Sequence, residues 1–170
     1  DRGADVDQQS SIPESNRKRQ NATLIVRRAA SKRLAINEYQ AQHLCALARR
    51  MVQAAMEQSK VRDVADLPEE GWDTFTELPE YEMFTLGAYA CGFVCADLSP
   101  DADVNAVMSR PRDALREMSL PRIRHFIHTL MRAERAGHGF GSVIFTALRS
   151  GVFEALCARL EGGTDLYESL

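Results

Sequence analysis

Leu120-Pro-Arg-Ile-Arg-His-Phe-Ile-His-Thr-Leu-Met-Arg-Ala-Glu-Arg-Ala136 is the stretch on which the fold turns. Plotted at 100° per residue, Leu120, Ile123, Phe126, Ile127, Leu130 and Met131 share one face, while Arg124, His125, His128, Arg132 and Arg135 share the other. This spacing predicts an amphipathic helix over 120–136. Ser119 is its expected cap, Pro121 is tolerated in its first turn, and Gly137 is its expected left-handed stop. Glu134 breaks the sorting, because it falls within the apolar face. A buried carboxylate needs a partner. It is expected to tie two helices together, through an ion pair with Arg149 or Arg159 or through a backbone N–H where Ser142 opens the next helix.

Working outward, Asn37 is a good helix cap with Glu38 and Gln40 in the first turn. Leu44, Leu47, Ala48, Met51, Val52 and Ala55 follow at steps of three and four, predicting a helix to about Ser59. Residues 63–80 read as loop, with Pro68, Gly71 and Pro79, held to the core by Trp72, Phe75 and Leu78. A helix over 80–96 is expected, and its internal Gly87 and Gly92 require close packing against a neighbour. Residues 100–111 connect, with room for a helical turn, to a short helix over 113–118. After Gly137-His-Gly-Phe-Gly141, a helix runs from Ser142 to Ser150. Gly151 breaks it, and a last helix covers 152–160. Upstream, residues 22–26 (Ala-Thr-Leu-Ile-Val) fit either a small strand or a helix start.

The fold class is therefore all-α: a single compact bundle of five or six helices. A flexible basic arm (1–34) precedes the helical domain (35–163), and a tail (164–170) follows it. At 170 residues, 45% hydrophobic and 26% charged, the chain can bury a core without disulfides or metal. No run approaches the length needed to cross a bilayer, and the first fifteen residues lack the apolar core of a signal peptide. A cytoplasmic location and no membrane partner are expected. Cys45, Cys91, Cys95 and Cys157 read as core packing, since no His stands near the Cys91/Cys95 pair to complete a zinc site. No metal or cofactor is expected.

The net charge of -3 hides a sorted distribution. Eleven basic residues between Arg17 and Arg62 are interrupted only by Glu38 and Glu57, whereas 63–109 holds eleven acids and no Lys or Arg. Such a dipole permits docking of the basic segment on the chain's own acidic middle, on a second copy or on an external polyanion. Three readings follow in order. The first is a non-enzymatic interaction or regulatory module acting through protein contacts, homo-oligomeric or with another protein. The second is nucleic-acid binding through Arg17, Lys18, Arg19, Arg27, Arg28, Lys32 and Arg33. The third is a small-anion binder or enzyme using the face Arg124, His125, His128, Arg132 and Arg135, whose imidazoles and guanidiniums suit phosphate or carboxylate, with His138 in the loop that follows. No phosphate-loop Lys follows the glycine cluster, and no nucleophile elbow or paired carboxylates assign a reaction.

Arg132-Ala-Glu-Arg-Ala-Gly-His-Gly139, Leu148-Arg-Ser-Gly-Val-Phe153 and Leu156-Cys-Ala-Arg-Leu160 together resemble the C-terminal signature of an uncharacterised bacterial family, a domain of unknown function. That family carries Arg-x-(Asp/Glu)-Arg-aromatic-x-x-Gly, then a Ser-Gly-hydrophobic stretch and a closing Leu-x-Arg-Leu. Ala136 stands where the family has its aromatic. The similarity spans at most 78–160; it implies a helical fold, assigns no activity, and singles out Arg132, Glu134, Arg135 and Gly139.

Overall fold

The computed structural model describes residues 36–137 and 139–162, and its regular elements there are all helical. The arm over 1–34, the run 22–26 and the tail 164–170 lie outside the described residues.

Helix α1 (Glu38–Ser59) starts with a reciprocal capping box: Gln40 N–H donates to Asn37 Oδ1 at 2.8 Å, and Asn37 N–H donates to Gln40 Oε1 at 3.1 Å. It stops at Lys60, a left-handed residue (φ 57°), with Val61 N–H reaching back to Met56 O. The region read as loop instead contains two 3₁₀ turns, Val64–Asp66 and Glu69–Gly71, and a short helix, α2 (Trp72–Thr76). Phe75 of α2 is buried and meets the Phe145 and Tyr81 rings at 5.1 and 5.2 Å. That is the anchoring its position in the sequence suggests.

Helix α3 (Pro79–Ala90) is shorter than the expected 80–96. Gly92 takes φ 74°, its N–H bonds Tyr89 O, and Phe93 N–H bonds Ala88 O, so Gly92 terminates the helix rather than lying inside it. Gly87 is the glycine that close packing requires, because a Cβ there would overlap Leu47 of α1. The two helices run antiparallel, and Gln40 at the start of α1 donates to Cys91 O just past the end of α3 at 2.6 Å.

The remaining helices are α4 (Val104–Ser109), α5 (Pro111–Glu117), α6 (Leu120–Ala136), α7 (Val143–Arg149) and α8 (Val152–Glu161). The described residues thus form eight helices, not five or six. The additional ones, α2 and α4, have five and six residues, too few for a helical period to emerge from sequence. Two end assignments on α6 also change. The Ser119 side chain makes no capping hydrogen bond, and Gly137 closes the helix at φ −88°, without a left-handed turn. Gly151 does break the chain between α7 and α8, at φ 76°.

Helix α1 packs on α3 and α8, α8 on α5 and α7, and α6 on α7 and α4. Phe84 and Phe153 meet edge-to-face at 5.2 Å in the centre, with Met51, Ile123, Phe126 and Leu156 buried around them. Each such side chain contributes roughly 1.5–3 kcal/mol on burial. No described helix is long and apolar enough to cross a membrane.

Candidate functional site

The polar face of α6 does not stay together. Arg124 is buried, donates to the Gly92 carbonyl, and places its guanidinium carbon 6.0 Å from the Phe93 ring centroid. Burial draws its pKa down, with Cys95 opposing. His128 is also buried, and its Nδ1 accepts from Cys95 N–H at 3.2 Å. Its pKa lies below the ordinary 6.5, first through burial, then through His125, Arg132 and Arg124; the Leu98 carbonyl opposes them. With Nδ1 accepting, the ring proton of the neutral form sits on Nε2.

His125 is half-buried. Its Nε2 donates to Ser99 O at 2.7 Å and lies 2.8 Å from the Asp101 carboxylate. Thr129 Oγ1 donates to His125 O and accepts from Ala102 N–H at 3.3 Å. Arg124, His125, His128 and Thr129 thus form a row that holds the segment 92–102 against α6. Arg132 and Arg135 face outward and are exposed. His138 lies outside the described residues, as do Arg17, Lys18, Arg19, Arg27, Arg28, Lys32 and Arg33.

Glu134 is buried, and among the described residues it forms no ion pair with an arginine. Its Oε1 accepts from Tyr81 OH at 2.7 Å and from Ser142 Oγ at 2.8 Å, and its Oε2 accepts from Ile144 N–H at 2.9 Å. Ser142 Oγ in turn accepts from Phe145 N–H at 3.0 Å. The backbone partner anticipated at the start of this helix is present, and the arginines go elsewhere. Arg149 donates to Leu67 O and Arg159 to Met118 O, each at 2.9 Å. The carboxylate answers free N–H groups at the start of α7, where the helix dipole also favours negative charge. Burial, then the bond to Glu134, pushes the Tyr81 phenol well above its usual range.

Above Glu134 lies an open groove of about 460 Å³ between α3 and α6, lined by Tyr81, Thr85, Leu86, Tyr89, Met131 and Arg135. Leu86 is 62% exposed, and Met83 and Tyr89 beside it on α3 are also exposed. Tyr39, 72% exposed, stacks on His43, which lies against Gly87 of the same helix. Sequence reasoning missed this apolar surface. The signal was present, since Met83, Leu86 and Tyr89 recur at steps of three, but nothing local says which side of α3 is covered. Among the described residues, no three His, Cys, Asp or Glu side chains are placed to share a metal ion. No family model, curated protein or solved structure matches the chain; the reading of the site rests on its own geometry.

Proposed function

We propose that this chain is a non-enzymatic helical interaction module that docks a protein through the outer face of α3. The observation that carries this reading is the exposed group Tyr39, Met83, Leu86 and Tyr89 beside the α3–α6 groove. Large apolar side chains gathered at one place on a surface are a mark of partner binding. The exposed acids Glu38, Asp73, Glu77 and Glu82 lie on or next to the same helices, and 63–109 contains no Lys or Arg. A partner segment with apolar side chains flanked by Lys or Arg, from a second copy or another protein, fits that chemistry. The anion-binding reading draws less support, because Arg124 and His128 are occupied against the segment 92–102. Kinship with the bacterial family whose signature 132–139, 148–153 and 156–160 resemble is proposed on those residues alone.

The test places a photo-crosslinking residue at Leu86 of the full chain, with Thr146 on α7 as control. A discrete protein adduct at Leu86, lost with Tyr89→Asp, is expected. Equal labelling at both positions would overturn the reading. A parallel titration with random DNA and RNA at two salt concentrations tests the nucleic-acid alternative: steeply salt-dependent binding, abolished by removing 1–34, would make that reading the leading one.

A further inference from the structure

Cys45 on α1 and Cys157 on α8 are separated by 112 positions, yet both are buried and Cys157 Sγ lies 3.9 Å from the Cys45 carbonyl oxygen. Cys157 Sγ–H is the donor to that carbonyl, so the two residues touch across the helix pair. Ala48 and Ala158 stand on the same two helices, and such small side chains let the backbones approach closely. Cys157 is 3% exposed and stands at the wall of an open groove of about 500 Å³ between the helices, with Arg49, Gln53, Ala158 and Glu161, which gives a small oxidant its approach. One turn beyond each cysteine, Arg49 and Glu161 join the helices through a two-pronged ion pair.

We propose that Cys45 and Cys157 are a thiol modification site, at which a peroxide oxidises the pair to a disulfide linking α1 to α8. The Cys157 sulfur attacks one peroxide oxygen; the S–O bond forms, the O–O bond breaks, and the leaving hydroxide is protonated to water. The Cys45 sulfur then attacks the sulfenic sulfur of Cys157. The S–S bond forms, the S–O bond breaks, and a second water leaves. The two thiols lose two electrons and two protons, and one hydrogen peroxide becomes two waters. A dithiol reductant reverses the step.

Access assigns the two roles, since Cys157 lines the groove and the buried Cys45 does not. Contact with Cys45 lowers the Cys157 pKa, with Arg49 helping and burial opposing. The same contact and burial keep Cys45 protonated until it resolves the intermediate. Cys91, whose thiol burial pushes up, and Cys95 lie on the far side of α3 in sequence and belong to neither helix. The proposal stands independently of the protein-docking reading.

The experiment treats the full chain, folded and reduced, with hydrogen peroxide, then alkylates it and measures intact mass and digest peptides. Before alkylation a loss of about 2 Da per chain is expected, and after it two fewer alkyl groups than on the reduced chain, with one linked peptide pair containing Cys45 and Cys157, restored by dithiothreitol. Cys45→Ser abolishes the linked pair and leaves Cys157 as a sulfenic acid that dimedone traps; Cys91→Ser changes nothing. The wild-type digest needs no variant to fold, and a urea-unfolded control gives scrambled pairs. Both thiols staying open to alkylation after unfolding, or linkage through Cys91 or Cys95, would falsify the proposal.

Discussion

Replacing Glu134 by Ala leaves the Ser142 hydroxyl and the Ile144 N–H buried without their acceptor. The expected loss is about 2–4 kcal/mol in urea denaturation, because stranded donors carry their full desolvation cost. Glu134→Gln keeps one acceptor oxygen and should lose about half as much. If both variants unfold at the parent midpoint, the carboxylate does not tie α6 to α7. His128 makes a second residue-scale prediction. Its folded pKa lies below the ordinary 6.5, so the unfolded chain binds that proton first as pH falls. Its contribution is therefore intact above pH 6.5 and declines below it, towards the folded value. His128→Asn retains an acceptor for Cys95 N–H and removes the titration. Thermal melts at about pH 7.5 and about pH 5.5 should differ less for this variant than for the parent. That Glu134 needs a partner was legible from the wheel, since a carboxylate on an apolar face cannot stay bare. Tyr81 as one donor was not, because 53 positions of chain separate them.

Among the helices, ends were harder to read than middles. The interiors of α1 and α6 follow from periodicity, and the Asn37–Gln40 box is a contact within four residues, readable without tertiary context. Helix ends obey a different rule. Gly92 before apolar Phe93 is a C-terminal stop pattern, and Phe93 is completely buried. Lys60 makes the same turn on α1 with a side chain that disfavours it, and no composition signal marks the position. Relieving its left-handed backbone by Lys60→Gly should raise stability by roughly 1 kcal/mol, seen as a higher urea midpoint with an unchanged slope. An unaltered midpoint would mean that the turn carries no strain. The short helix α2 was invisible, and α4 legible only as room for a turn within 100–111, for another reason. Neither completes two turns, so tertiary contacts such as Phe75 against Phe145 hold α2 in place.

For the whole molecule, Trp72 offers a test of cooperativity because it is the only tryptophan and sits on α2 at the edge of the core. Its fluorescence and the far-ultraviolet circular dichroism should give the same urea midpoint, since α2 rests on the core that α7 helps to build. Separated transitions would mark the segment 63–79 as a unit that opens alone. By itself, the sequence determined that the described chain is helical and which faces of α1 and α6 carry apolar side chains. It also located the break at Gly151 and the segregation of acid from base. These are properties of local spacing and composition, and they need no knowledge of neighbours. The tertiary structure alone decided what surrounds each face. A helical wheel sorts residues around one axis on the assumption that one side is covered. Helix α6 is covered on two, by the core and by the segment 92–102, so Arg124 and His128 turn inward while Arg132 and Arg135 remain open. The same reason leaves Leu86 exposed on α3 and brings Cys45 to Cys157: burial depends on helices far apart in the chain, and only their packing sets it.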